Sequence, residues 1–67
     1  MSGGKPDKPP TKQSIYEAIS GTNGALSWAR EHVLNNDWGM ALVQVEAAEI
    51  TLALAKVRIK AREEAGL

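Results

Sequence analysis

The segment from about residue 38 to residue 64 has a pattern of apolar side chains that constrains the whole chain. One apolar stripe recurs at alternating spacings of three and four, as one face of an α-helix does: Trp38, Ala41, Val45, Ala48, Leu52, Ala55 and Ile59. A second stripe has the same spacings and starts two residues later, about 200° around the helix: Met40, Val43, Ala47, Ile50, Leu54, Val57 and Ala61. A helix that is apolar on two opposite faces is a helix buried on both faces.

The preceding segment predicts one further helix, over residues 14–35. Its apolar stripe comprises Ile15, Ile19, Thr22, Leu26, Ala29 and Val33. Ser14 and Glu17 fit the S-x-x-E capping box, so we expect the helix to start at Ser14. Gly21 and Gly24 cost about 1 kcal/mol each relative to alanine inside a helix. The stripe keeps its phase across both glycines, which favours one continuous helix, with a break at residues 20–24 as the alternative.

A short polar connection, Asn35-Asn36-Asp37, separates the two predicted helices. Asn36 or Asp37 can cap the second helix, and so short a connection predicts an antiparallel hairpin. Residues 1–13 hold all three prolines and two of the six glycines, so we expect a disordered tail there. The predicted organisation is a tail at 1–13 and an all-α hairpin at 14–67, with helices at about 14–35 and 37–64.

Because the first helix can cover only one stripe of the second, the other stripe requires a second molecule. A chain of 67 residues is also short for a single core, since domains below roughly 70–80 residues rarely exceed about 3–5 kcal/mol of stability. We therefore expect a homo-oligomer, in the simplest case a dimer that forms a four-helix bundle, with a hexamer as the larger alternative. The predicted interface residues are Met40, Val43, Ala47, Ile50, Leu54 and Val57.

The composition argues against an enzyme, a metal site and a membrane span. There is no cysteine and only one histidine, His32, which removes thiolate sites and the usual zinc spacings. Glu46 and Glu49 lack the Glu-x-x-His partners of a diiron bundle and are expected to be solvated. No hydroxyl has a general base placed near it, so we expect no catalysis and no cofactor. The apolar runs are only a few residues long, so we expect a cytoplasmic protein with neither a membrane span nor a signal peptide.

The net charge is zero, but the charges are segregated. Both ends of the chain are basic and residues 13–55 are acidic. The C-terminal cations can simply complement the negative end of a helix dipole, or the basic ends can converge on an anion.

Two aromatic side chains, Tyr16 and Trp28, lie off the stripe of the first helix, whereas Trp38 is expected in the hairpin core. Tyr16 and Trp28 can fill the oligomer interface, or they can stack on a nucleotide base beside cationic groups. The small residues at 20–24 would let a ligand approach the backbone. The candidate ligand-binding residues are Lys12, Tyr16, Trp28, Arg30, Arg58 and Arg62.

Two short runs resemble a known family. Pro9-Pro10-Thr11 precedes Tyr16-Glu17-Ala18-Ile19, and Ala41-Leu42-x-Gln44-Val45-Glu46-x-Ala48 follows the turn. Together they resemble the phage-encoded helical-hairpin proteins that sequester cyclic nucleotide signals of bacterial immunity, the anti-CBASS and anti-Thoeris sponges. The resemblance implies assembly through the hairpins, with ligand held between subunits near the start of the first helix. The family's basic positions in that helix fall on Ser20 and Gly24, so the implied site is limited to the region of Tyr16.

The sequence thus leaves two main functional hypotheses. The first is an oligomeric protein that sequesters a nucleotide-derived immune signal at its subunit junctions. The alternative is a helical adaptor or inhibitor that acts on a host or partner protein. A dimeric RNA-binding bundle is disfavoured, because the helical region from 14 to 55 is acidic and would repel phosphates.

Overall fold

The computed structural model describes residues 9–66 as two antiparallel α-helices, α1 (Lys12–Leu34) and α2 (Trp38–Glu64). The expected all-α hairpin is confirmed, and residues 9–66 contain no strand. α1 runs without interruption through Gly21 and Gly24. Of the predicted tail, residues 1–8 lie outside the described residues, whereas residues 12–13 belong to α1.

The start of α1 differs from the predicted capping box. Thr11, in an extended conformation after Pro10, is the N-cap: the backbone N–H of Ser14 donates to Thr11 Oγ1 over 3.0 Å. The Ser14 hydroxyl donates in turn to the Thr11 carbonyl. Glu17 accepts a hydrogen bond from the side-chain amide of Gln13 instead of closing a capping box. The expected start at Ser14 was wrong because Thr11, an equally suitable cap, stands three residues earlier.

The connection between the helices is a complete Schellman motif. Asn36 has a φ of 59° and donates its N–H to the carbonyl of Val33 over 3.0 Å. The N–H of Asp37 donates to the carbonyl of His32 over 2.8 Å, which is the second bond of the motif. Asp37 also caps α2, since its Oδ1 accepts from the N–H of Met40. One three-residue connection therefore ends one helix and starts the next.

The left-handed conformation of Asn36 leads to a first prediction. Glycine adopts positive φ without the steric cost that a Cβ carries, whereas alanine bears that cost in full. We expect Asn36→Gly to raise the free energy of unfolding by up to about 1 kcal/mol and Asn36→Ala to lower it by a similar amount. Thermal unfolding followed by circular dichroism at fixed protein concentration measures both changes. Equal melting temperatures for the two variants would contradict the assigned turn.

The contact between the helices is a seam of small side chains. Five alanines have exposed fractions of 2–7%, and Thr22 is buried beside them at 7%. These seam alanines are Ala18, Ala29, Ala41, Ala48 and Ala55. Within α2 they recur every seven residues, so they lie on one line along the helix. Such small side chains let two helix axes approach closely.

The bulky members of the predicted stripes do not form this core. In α1, Thr22 and Ala29 of the predicted stripe lie in the seam, whereas its bulky members Ile19, Leu26 and Val33 are exposed beside it. In α2, the alanines of the first stripe are buried as expected, but Trp38 is 63% exposed and Leu52 is 58% exposed. Trp38 is therefore not in the hairpin core. A stripe of alternating alanine and bulky residues has a finite width, and the alanines occupy its centre.

A polar pair crosses the seam at its middle. Thr22 Oγ1 and Thr51 Oγ1 lie 2.7 Å apart, and each hydroxyl also lies within hydrogen-bond distance of a carbonyl of its own helix. Both groups are thus satisfied although they are largely removed from solvent. Sliding one helix along the other would separate the two hydroxyls, so this pair favours a single register of the hairpin.

Candidate functional site

Four of the six candidate ligand residues gather at the open end of the hairpin, where α1 begins and α2 ends. Lys12 and Tyr16 lie one turn apart on α1, and both are exposed. Arg58 and Arg62 reach this end from α2: Arg58 Nη1 donates to the carbonyl of Ser14 over 2.7 Å, and Arg62 Nη1 donates to that of Pro10 over 3.1 Å. The antiparallel fold therefore brings together residues more than forty positions apart in the sequence.

The two arginines have a structural role that the sequence did not suggest. Each guanidinium carries five N–H donors, and in each arginine Nη1 donates to a main-chain carbonyl at the start of α1. These bonds tie the first turn of α1 and the residue Pro10 before it to the last turns of α2. Neither carbonyl holds a formal charge, so the guanidinium charges are not neutralised by these contacts. The open end thus carries these two guanidinium groups, the exposed carboxylates of Glu17, Glu63 and Glu64, and the 67%-exposed ring of Tyr16.

Trp28 and Arg30 do not belong to this group. Trp28 is twelve residues beyond Tyr16, which is about 18 Å along the helix axis. Its ring is 59% exposed and lies against His32, with the ring centroids 6.3 Å apart and tilted by 31°. Arg30 lies close to the hairpin connection. Within one chain the six candidates therefore do not form one site, and Trp28 or Arg30 could join the open end only across a subunit junction.

Arg30 instead borders an open apolar pocket of about 590 Å³. The pocket is lined by Leu26, Ala29, Arg30, Val33, Leu34 and Val45. The sequence reasoning did not identify this surface, because it assigned Leu26, Val33 and Val45 to the hairpin core. The sequence did contain a signal for this surface. Bulky residues recur every seven positions beside alanines in each helix, which predicts a ridge that flanks the seam and not the seam itself.

The small residues at 20–24 do not form one bare surface for a ligand. Thr22 is buried in the seam. A Cβ placed on Gly21 would lie 3.8 Å from Thr51 Cγ2 across the hairpin, whereas one on Gly24 would meet nothing within 4 Å. Thr22 alone among these five residues is buried, whereas Ser20, Gly21, Asn23 and Gly24 are exposed at different angles around α1.

The predicted interface stripe of α2 faces away from the seam. Ile50 and Val57 are the most exposed of its members, at 70% and 64%, and Ala47 alone is half-buried against the seam edge. Met40, Val43 and Leu54 are between 41% and 51% exposed. Within one chain this stripe has no helix packed over it.

Metal and membrane sites receive no support from the described residues. Across residues 9–66, no three side chains of His, Cys, Asp or Glu are grouped closely enough to hold a metal ion. Glu46 and Glu49 are both exposed. Neither of the two described helices is long and apolar enough to cross a membrane.

Comparisons with models of protein families, with curated proteins and with solved structures found no match.

Proposed function

We propose that this protein is a homo-oligomeric helical binding protein, and that it takes a nucleotide-derived anion at the open end of the hairpin, between subunits. The observation that carries the proposal is the convergence of Lys12, Tyr16, Arg58 and Arg62 at that end. Lys12 lies one turn from the ring of Tyr16 on α1, and two arginines of α2 reach the same end of the hairpin. An aromatic ring and cations at one end suit a ligand that has both a flat base and phosphates.

The oligomeric part of the proposal follows from what the hairpin buries. Its core consists of five alanines and one threonine, whereas large apolar side chains with exposed fractions up to 75% line both helices. Burial contributes about 25 cal/mol per Å² of apolar area, so alanines supply little of the stability that a 67-residue chain needs. The interface stripe Met40, Val43, Ala47, Ile50, Leu54 and Val57 can supply more when a second chain covers it.

Oligomerisation also completes the proposed site. In a single hairpin the open end is exposed to solvent at Lys12 and Tyr16, so a ligand there would be held from one side only. A second chain packed alongside would supply the opposite wall. Trp28 and Arg30 lie far from the open end of their own chain. In such a junction the neighbouring chain can bring its own Trp28 and Arg30 to that end.

Ligand binding gives a second prediction. A panel of cyclic dinucleotides, cyclic trinucleotides and cyclic ADP-ribose isomers is added to the protein, and the melting temperature and tryptophan fluorescence are followed. A ligand at one hundred times its Kd stabilises the folded state by about 2.7 kcal/mol, which is a readily measured shift. Because base stacking contributes about 1–3 kcal/mol per base, Tyr16→Ala should weaken binding by roughly five- to 150-fold. Tyr16→Phe keeps the stacking ring and should bind nearly as well as the wild type.

The second candidate function is that of an adaptor or inhibitor that docks on a partner protein. The open apolar pocket beside Leu26, Val33 and Val45 favours it, since an amphipathic helix can place its apolar face in such a groove. The ligand panel separates the two candidates. No thermal shift with any compound would reject the nucleotide proposal and leave protein binding as the function to test.

A further inference from the structure

The face of the hairpin that carries the pocket is a continuous apolar surface distinct from the predicted interface stripe. Leu26, Val33 and Val45 line one pocket, so α1 and α2 contribute to the same face. Residues seven positions away continue the ridges along each helix. We call this surface the ridge face: Ile19, Leu26, Val33, Val45, Leu52 and Ile59. All six side chains are between 38% and 58% exposed.

We propose that a second copy of this chain covers the ridge face, with the two α2 helices antiparallel and Leu52 near the two-fold axis. Val45 and Ile59 stand seven residues on either side of Leu52. A two-fold axis at Leu52 therefore places Val45 of each chain against the partner's Ile59, which is the self-complementarity that an isologous interface requires. The partner's Ile59 then enters the pocket that Val45 forms with Leu26 and Val33.

Charge complementarity selects this antiparallel arrangement and a second copy as the occupant. Glu49 precedes Leu52 by three residues and Lys56 follows it by four, so the two-fold axis brings Glu49 beside the partner's Lys56, twice in each dimer. Both side chains are exposed, and within residues 9–66 neither takes part in an ion pair. In the same chain they lie about 10 Å apart along the axis of α2, too far for a direct pair. A parallel pairing would instead oppose like charges.

Charge reversal tests the arrangement. Glu49→Lys places two ammonium groups against each other at every such contact, and Lys56→Glu places two carboxylates there. Each single variant should self-associate more weakly than the wild type, by on the order of tenfold in Kd, as measured by sedimentation equilibrium. In a mixed dimer of the two single variants both contacts again join opposite charges: one pairs the native Lys56 with the native Glu49, and the other pairs the two substituted side chains. A chain carrying both substitutions restores opposite charges in the same way within a homodimer. That double variant should regain wild-type affinity.

Glu31→Lys is the matched control, because Glu31 is exposed on α1 and the substitution changes the charge by the same amount. It should leave the Kd unchanged. Single variants that associate like the wild type, or a double variant as weak as either single one, would overturn the ridge-face proposal. A wild-type protein that is folded and has the mass of a single chain would also overturn the proposal.

The test is independent of the interface stripe. If the charge reversals lower the mass whereas lysines at Ile50 and Leu54 do not, the ridge face is an interface and the stripe is not. If only the lysines lower the mass, the ridge-face proposal is wrong and the stripe stands. If both do so and each leaves a dimer, the wild type uses two faces and contains at least four chains.

Discussion

Replacing Ala55 by leucine in the seam should lower the free energy of unfolding by about 1–3 kcal/mol, which is the usual cost of overpacking a tight contact. Ala55 is 2% exposed and Ala48 is 4% exposed, so no space is left between the helices for a larger side chain. The helices must separate or tilt, which weakens the other alanine contacts and the Thr22–Thr51 pair. For a chain of this size the loss is a large share of the total stability.

The control for this variant is Ala65→Leu, at the exposed C-terminal end of the same helix and outside both proposed interfaces. Alanine and leucine both have high helix propensities, so we expect a change within about 0.5 kcal/mol. Thermal unfolding at one protein concentration, with the mass of each variant measured in parallel, compares the two substitutions. An Ala55→Leu protein that melts at the wild-type temperature or above it would show that the alanines do not form the contact between α1 and α2.

Lysines at Ile50 and Leu54 should have the other large effect, the dissociation of the proposed oligomer with loss of much of its helical signal. Ile50 is 70% exposed in the single chain, whereas Leu54 is 41% exposed and lies closer to the seam. Two ammonium groups inside a dry interface between chains would each require several kcal/mol to desolvate. Light scattering should then give a mass below that of the wild type, and circular dichroism should show a weaker helical signal. If the stripe is the sole interface the product is one largely unfolded chain, whereas pairing through the ridge face leaves a dimer.

Ser20→Lys with Ser27→Lys adds the same two charges to exposed positions of α1. This control should keep both the wild-type mass and the wild-type helicity. A protein with lysines at positions 50 and 54 that is folded and unchanged in mass would contradict the predicted interface. A folded monomer would contradict the argument that the hairpin requires a second chain.

Local sequence patterns predicted the helices well and their ends less well. The three- and four-residue periodicity carries the helical signal, and the polar run Asn35-Asn36-Asp37 marks the turn. The start of α1 was missed because Thr11 and Ser14 both satisfy the local chemistry of a cap, and only the completed backbone shows which one accepts the bond. Such boundaries depend on which of several similar hydrogen bonds forms.

The candidate site was predicted in part. The open-end residues were chosen for their type, and the antiparallel fold does bring Lys12, Tyr16, Arg58 and Arg62 to one end. Their spacing in the sequence could not show that Arg58 and Arg62 donate to main-chain carbonyls. The separation of Trp28 from Tyr16, by contrast, follows from their spacing of twelve residues once both lie on one continuous helix, which is about 18 Å along its axis.

The amino-acid pattern alone predicts two amphipathic helices, joined by a turn too short for anything but an antiparallel hairpin. It also predicts that the hairpin has more apolar surface than it can bury. Which apolar side chains meet depends on how the two helices pack. Two helix axes approach most closely along their smallest side chains, so the alanines and Thr22 form the seam and the bulky residues are displaced to its edges. The line of contact depends on the side-chain sizes of both helices together, whereas a stripe describes the apolar positions of one helix only.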